Sequence, residues 1–151
     1  MKKKIFMPFE SSRDHYKAEA TVVWCSDDRF SLALQVFREK MGWRWMDLIR
    51  VAGGAHDLGT TASSDEANAL LGYIGKSIKG SHSPQVFLMA HYDCSSYGRE
   101  QTEQNDDEDR FFSVELSRAK ERVENYLKSV GLSATVRTFL LDFKNVYEVD
   151  F

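Results

Sequence analysis

Apolar and polar residues alternate along the chain in two kinds of block. Continuous apolar runs stand at 20–25 (ATVVWC) and 85–90 (QVFLMA). Runs this short, bounded by polar residues, predict strands buried on both faces. A further strand is predicted over 46–52 (MDLIRVA), ending at Gly53-Gly54. Between these runs the apolar spacing changes to three and four. Phe30, Leu34, Phe37 and Met41 form one helical stripe, with Gly42 placed to close it. Ala67, Leu70, Leu71, Ile74 and Ile78 form a second. Ser63 and Glu66 make a capping box ahead of it, and Gly80 is placed to stop it. Leu116, Ala119, Val123, Leu127 and Val130 predict a third helix over roughly 113–130, with Gly131 after it. The chain closes with ATVRTFLLDF and NVYEVDF, joined near Lys144-Asn145, which predict a hairpin at a sheet edge.

Strands alternating with helices predict an α/β fold, a mainly parallel sheet of four to five strands flanked by helices. Residues 1–19 are mixed and charged and read as an N-terminal arm or irregular segment, with 20–151 as one α/β domain. A chain of 151 residues suits a single core. The net charge of −3 gives no broad footprint for nucleic acid or an anionic membrane. The IFMPF run after Lys2, Lys3 and Lys4 is too short for a signal-peptide core, and no run approaches a membrane span. A cytoplasmic protein with no nucleic-acid or membrane partner is therefore expected. The acidic stretch 101–110 (QTEQNDDEDR) reads as a solvated loop, since calcium-loop spacing and its glycine are missing.

Ligands of parallel sheets sit beyond the carboxyl ends of the strands. Both polar clusters, CSDDR from Cys25 and HYDC from His91, begin where a predicted strand stops. Ends of neighbouring parallel strands can meet although far apart in sequence. Cys25, His91 and Cys94 brought together would be a ligand set familiar for zinc. Three protein ligands leave a fourth position open, where zinc lowers the pKa of water and supplies hydroxide. Asp27 is close enough in sequence either to fill that position or to accept a hydrogen bond from the water. Arg29 can pair with Asp27 through its planar fork and hold it off the metal.

The pair C-x-D-x-R and H-x-x-C, in this order and each closing a predicted parallel strand, resembles the β-class carbonic anhydrases. The resemblance implies Cys25, His91 and Cys94 as zinc ligands and Asp27 and Arg29 as the catalytic dyad. It also makes Asp27 a possible fourth ligand in a closed state. RVAGG at 50–54 resembles the family's R-N-A-G segment, and the closing residues resemble its final hairpin. Coverage runs from about residue 20 to the end. What this implies is reversible hydration of carbon dioxide to bicarbonate through a zinc-bound hydroxide, in a homodimer or higher homo-oligomer.

The chain departs from the pattern in places. Val51 stands where the family has asparagine, SSYG follows Cys94 where glycine is usual, and the first 20 residues cannot supply the family's long helical arm. Two other readings stay open: a non-catalytic zinc-binding relative with Asp27 on the metal, and a hydrolase of a related small electrophile. A cysteine redox protein is disfavoured because there is no CxxC. His56 is a candidate proton shuttle or a surface histidine, and His15 and His82 read as surface residues. Asp93 reads as a cap for the next turn. Trp24, Trp43 and Trp45 read as core or interface.

Overall fold

In chain order the elements are β1 (Ala20–Cys25), a short 3-10 turn (Asp28–Phe30), α1 (Ser31–Met41), β2 (Met46–Val51), α2 (His56–Gly59), α3 (Asp65–Ser81), β3 (Gln85–His91), a second 3-10 turn (Ser95–Tyr97), α4 (Glu108–Ser129), β4 (Thr135–Leu141) and β5 (Val146–Val149). They come from a computed structural model that describes residues 3–60, 64–98 and 108–151. The strands make one sheet in the order β2-β1-β3-β4-β5. The first four are parallel and β5 runs antiparallel to β4. The fold is thus the predicted α/β sheet with its hairpin at the edge. Asp142 closes the hairpin, its carboxylate accepting the backbone N–H groups of Lys144 and Asn145.

Strand alternation divides the core in two. Val23, Leu88 and Leu140 face one layer of helix, with Ile74 of α3 and Phe112, Leu116 and Val123 of α4. Val22, Trp24, Phe87, Met89 and Phe139 face the other, with Leu34 and Phe37 of α1. Phe37, Phe87 and Phe139 pack ring to ring there, at centroid distances of 5.2–5.9 Å. All six residues of β1 are buried, as its unbroken apolar run requires. The outer strand β2 is only half-buried. No described helix is long and apolar enough to cross a membrane.

Helix limits differ from the sequence reading at several points. Helix α3 runs past Gly80 to Ser81 and ends on His82, which takes the left-handed φ of 55° itself. Ser64 caps its start by accepting from the Ala67 N–H at 3.0 Å; Ser63 lies outside the described residues. Helix α4 begins at Glu108 rather than near 113, and Val130 falls beyond its end, exposed. Residues 101–107 of the acidic stretch lie outside the described residues.

Candidate metal centre

The β1–β3 register pairs Val23 with Leu88, so Cys25 lies two residues past that pair and His91 three. Two parallel strands therefore end side by side with a thiol on one and an imidazole on the other. The chain then turns, and Cys94 comes back at the start of the second 3-10 turn. The ligand atoms of Cys25, His91 and Cys94 all lie within 4.8 Å of one another. The two Sγ atoms are 3.9 Å apart. Two thiolates on a tetrahedral ion would sit about 3.8 Å apart at ordinary zinc–sulfur distances. The three residues are 5%, 2% and 3% exposed, so the group is closed off by protein.

The imidazole is set for ligation. Its Nδ1 lies 2.8 Å from the Tyr92 carbonyl, which can only accept, so Nδ1 carries the proton. In the neutral ring Nε2 is then the lone-pair nitrogen, and it is buried and without a hydrogen-bond partner. A buried polar atom left unsatisfied is costly unless something binds it. Phe30 holds the ring in place from one face, with centroids 4.2 Å apart. The thiols are coupled as well. The hydrogen bond with Cys94 lowers Cys25, so the negative charge of the pair rests on Cys25. That thiolate, with burial, pushes Cys94 up. One negative sulfur beside a thiol and a bare imidazole nitrogen is a site suited to a cation. The Cys–His–Cys group could hold a metal ion.

Asp27 stands just outside this group. Its Oδ2 is 3.9 Å from His91 Nε2. Arg29 grips it side-on, with Nε 3.0 Å and Nη2 2.7 Å from Oδ2, and with its backbone N–H 3.0 Å from Oδ1. Those bonds hold the Asp27 carboxyl below its ordinary range, against the opposing effect of burial. Cys25, Asp27, Arg29, His91 and Cys94 are therefore all brought together.

Some supporting residues carried weaker signals in sequence. Arg50, at the end of β2, donates to the carbonyls of Cys25, Ser26 and Asp27 and to Ser31 Oγ. It props the loop that presents Cys25 and Asp27. Gly54 has a φ of 59°, and a Cβ there would lie 2.5 Å from the Met89 carbonyl. The paired glycines thus serve a close backbone approach, which lets Ala55 N–H bond Met89 O at 3.0 Å. The Asp93 carboxylate accepts from Arg29. His56 is half-buried, bonded to Asp57 at 2.9 Å and packed edge-on to Tyr97, while His15 and His82 are exposed. Trp24 and Trp43 are core residues.

Sheet order and edge hairpin give the chain the fold of the β-carbonic anhydrases, with a Cys–His–Cys group at the strand ends. Residues 15–134 match the family described as "Putative carbonic anhydrase", and the chain belongs to that family. No curated protein matches it in sequence. Among solved structures it is similar to β-carbonic anhydrase isoform I from Trichomonas vaginalis, with a TM-score of 0.58 and 16% identity over 94% of this chain and 87% of that one. Tetrameric β-carbonic anhydrases from Sordaria macrospora match with a TM-score of 0.54 and 11% identity, over 90% and 82% of the two chains. The β-carbonic anhydrase CafA of Aspergillus fumigatus matches with a TM-score of 0.51 and 13% identity, over 89% and 76%. At these identities the likeness is one of fold.

Proposed function

We propose that the protein is a zinc-dependent carbonic anhydrase interconverting carbon dioxide and bicarbonate, with Cys25, His91 and Cys94 as zinc ligands. The observation that carries this reading is the arrangement of two thiols and one bare imidazole nitrogen within 4.8 Å, with the Asp27 carboxylate beside them but tied to Arg29. Zinc held by three protein ligands keeps a fourth position and, by lowering the pKa of water there, supplies a nucleophile at neutral pH.

The rest falls to the chain. Asp27, kept ionised by Arg29, can only accept a hydrogen bond, and so fixes the direction of an O–H next to it. Arg29 keeps that carboxylate from turning onto the metal. Tyr92, through its carbonyl, keeps the His91 tautomer that leaves Nε2 free. Phe30 and Phe143, 5.6 Å apart beside Arg29, give an apolar flank that suits an uncharged substrate. The working unit is a homodimer or larger homo-oligomer, in line with the tetrameric Sordaria macrospora relatives and with exposed Phe6 and Phe9 in the N-terminal segment. A reducing cytoplasm would keep Cys25 and Cys94 as free thiols.

The test is stopped-flow hydration of carbon dioxide by protein carrying one zinc per chain. A rate well above buffer that is lost in Asp27→Asn supports the reading. A fully zinc-loaded protein without a rate between pH 6.5 and 9, a window spanning the roughly neutral pKa of zinc-bound water, would defeat it.

A further inference from the structure

Arg29 holds a second carboxylate. Its Nη1 donates to Asp93 Oδ2 at 2.8 Å and its Nη2 to the Asp93 carbonyl at 3.1 Å, while Nε and Nη2 hold Asp27. Asp93 lies between His91 and Cys94 in sequence and takes a left-handed φ of 53°. Among the described residues only His82 shares that conformation without being glycine. Aspartate tolerates it better than most side chains. There its carboxylate and carbonyl both meet Arg29, and its backbone N–H donates to the Glu108 carboxylate.

Both partners are well exposed, Arg29 at 49% and Asp93 at 57%, so the pair adds little to stability. What it adds is direction. A guanidinium held along one edge can swivel about its flexible stem. Held along two edges, its fork is fixed in the plane that meets Asp27. The same contacts tie the loop after β1, which follows Cys25, to the loop after β3, which leads to Cys94.

We propose that Asp93 is a positioning residue: by clamping the second edge of Arg29, it keeps the guanidinium fork on Asp27 and so keeps Asp27 off the Cys–His–Cys group. Asp93 acts through Arg29. Its effect on turnover rests on the hydration reading above, whereas its effect on Arg29 does not.

The experiment compares the zinc-loaded wild type with Asp93→Gly, which suits the left-handed backbone and removes the carboxylate, and with Asp93→Asn, which keeps an oxygen acceptor. The probe is the Arg29 Nε–H proton–nitrogen NMR signal, identified by its loss in Arg29→Lys. The wild type is expected to show this signal protected from solvent exchange. Asp93→Asn retains the protection and Asp93→Gly loses it, with zinc content and melting temperature equal in all three. Hydration then falls about 10-fold in Asp93→Gly, the size of other losses of outer partners, and recovers in Asp93→Asn. Unchanged protection in Asp93→Gly overturns the proposal, however active the protein is. Lost protection supports it even if none of the three hydrates carbon dioxide, a result that would defeat the hydration reading alone.

Discussion

The Nδ1–H of His91 donates to the carbonyl of Tyr92, the next residue, at 2.8 Å, and this single bond decides which nitrogen faces the two thiols. A metal placed there would bond Nε2, the lone-pair nitrogen of the neutral ring, which has no hydrogen-bond partner. His91→Ala and Cys94→Ser are accordingly expected to lose zinc to a chelator that leaves the wild type loaded. Metal analysis after dialysis checks this. Retention of a full equivalent of zinc by either variant would show that the ion sits elsewhere.

Arg29→Lys keeps the positive charge but loses the two-pronged grip of Nε and Nη2 on Asp27. Zinc content should not change, because Arg29 is no ligand. Hydration should fall about 10- to 100-fold, as when an outer partner of a metal site is removed. A lysine variant as fast as the wild type would show that charge alone suffices.

Gly54→Ala tests the close approach behind the site. The new Cβ would meet the Met89 carbonyl at 2.5 Å, in a backbone conformation with φ of 59°. Strain and overlap together should cost about 2–4 kcal/mol, seen as a lower urea midpoint with an unchanged slope. A midpoint equal to the wild type would mean that the loop moves freely away from β3.

Much of this was legible in sequence, for physical reasons that differ by element. The β1 run ATVVWC could only be a strand buried on both faces, and it is. CSDDR and HYDC were legible because strand ends of a parallel sheet converge, so both motifs had a place to meet. Helix limits were less legible. Gly80 looked like a stop, but nothing forces a glycine to end a helix, and His82 adopts the left-handed turn two residues later. The short helix α2 carries too few residues for a period. The work of Arg50 and Asp93 was hidden because it depends on backbone carbonyls and on a partner 64 residues away, which no local pattern records.

Asp47 links pH to stability away from the metal. It is partly buried, which raises its pKa, but hydroxyl donors Ser77 and Ser81 at 2.5 Å and Tyr16 at 2.6 Å outweigh this and lower it. A carboxylate lowered on folding contributes fully above its unfolded value, about 3.9, and loses that contribution as pH falls through the lower folded value. Asp47→Asn should therefore be less stable than the wild type at pH 7, with the gap narrowing once pH drops below about 4. Urea midpoints at pH 7 and pH 3 measure this gap. A gap that is the same at both values would contradict the assignment.

Zinc-edge X-ray absorption on the purified protein tests the metal centre most directly. Two sulfur neighbours at about 2.3 Å and one imidazole nitrogen at about 2.0–2.1 Å are expected, with one further light-atom ligand that Asp27→Asn leaves in place. A shell with fewer than two sulfurs, or a light-atom ligand that disappears with the Asp27 carboxylate, would contradict it: the first by removing Cys25 or Cys94 from the site, the second by putting Asp27 on the metal.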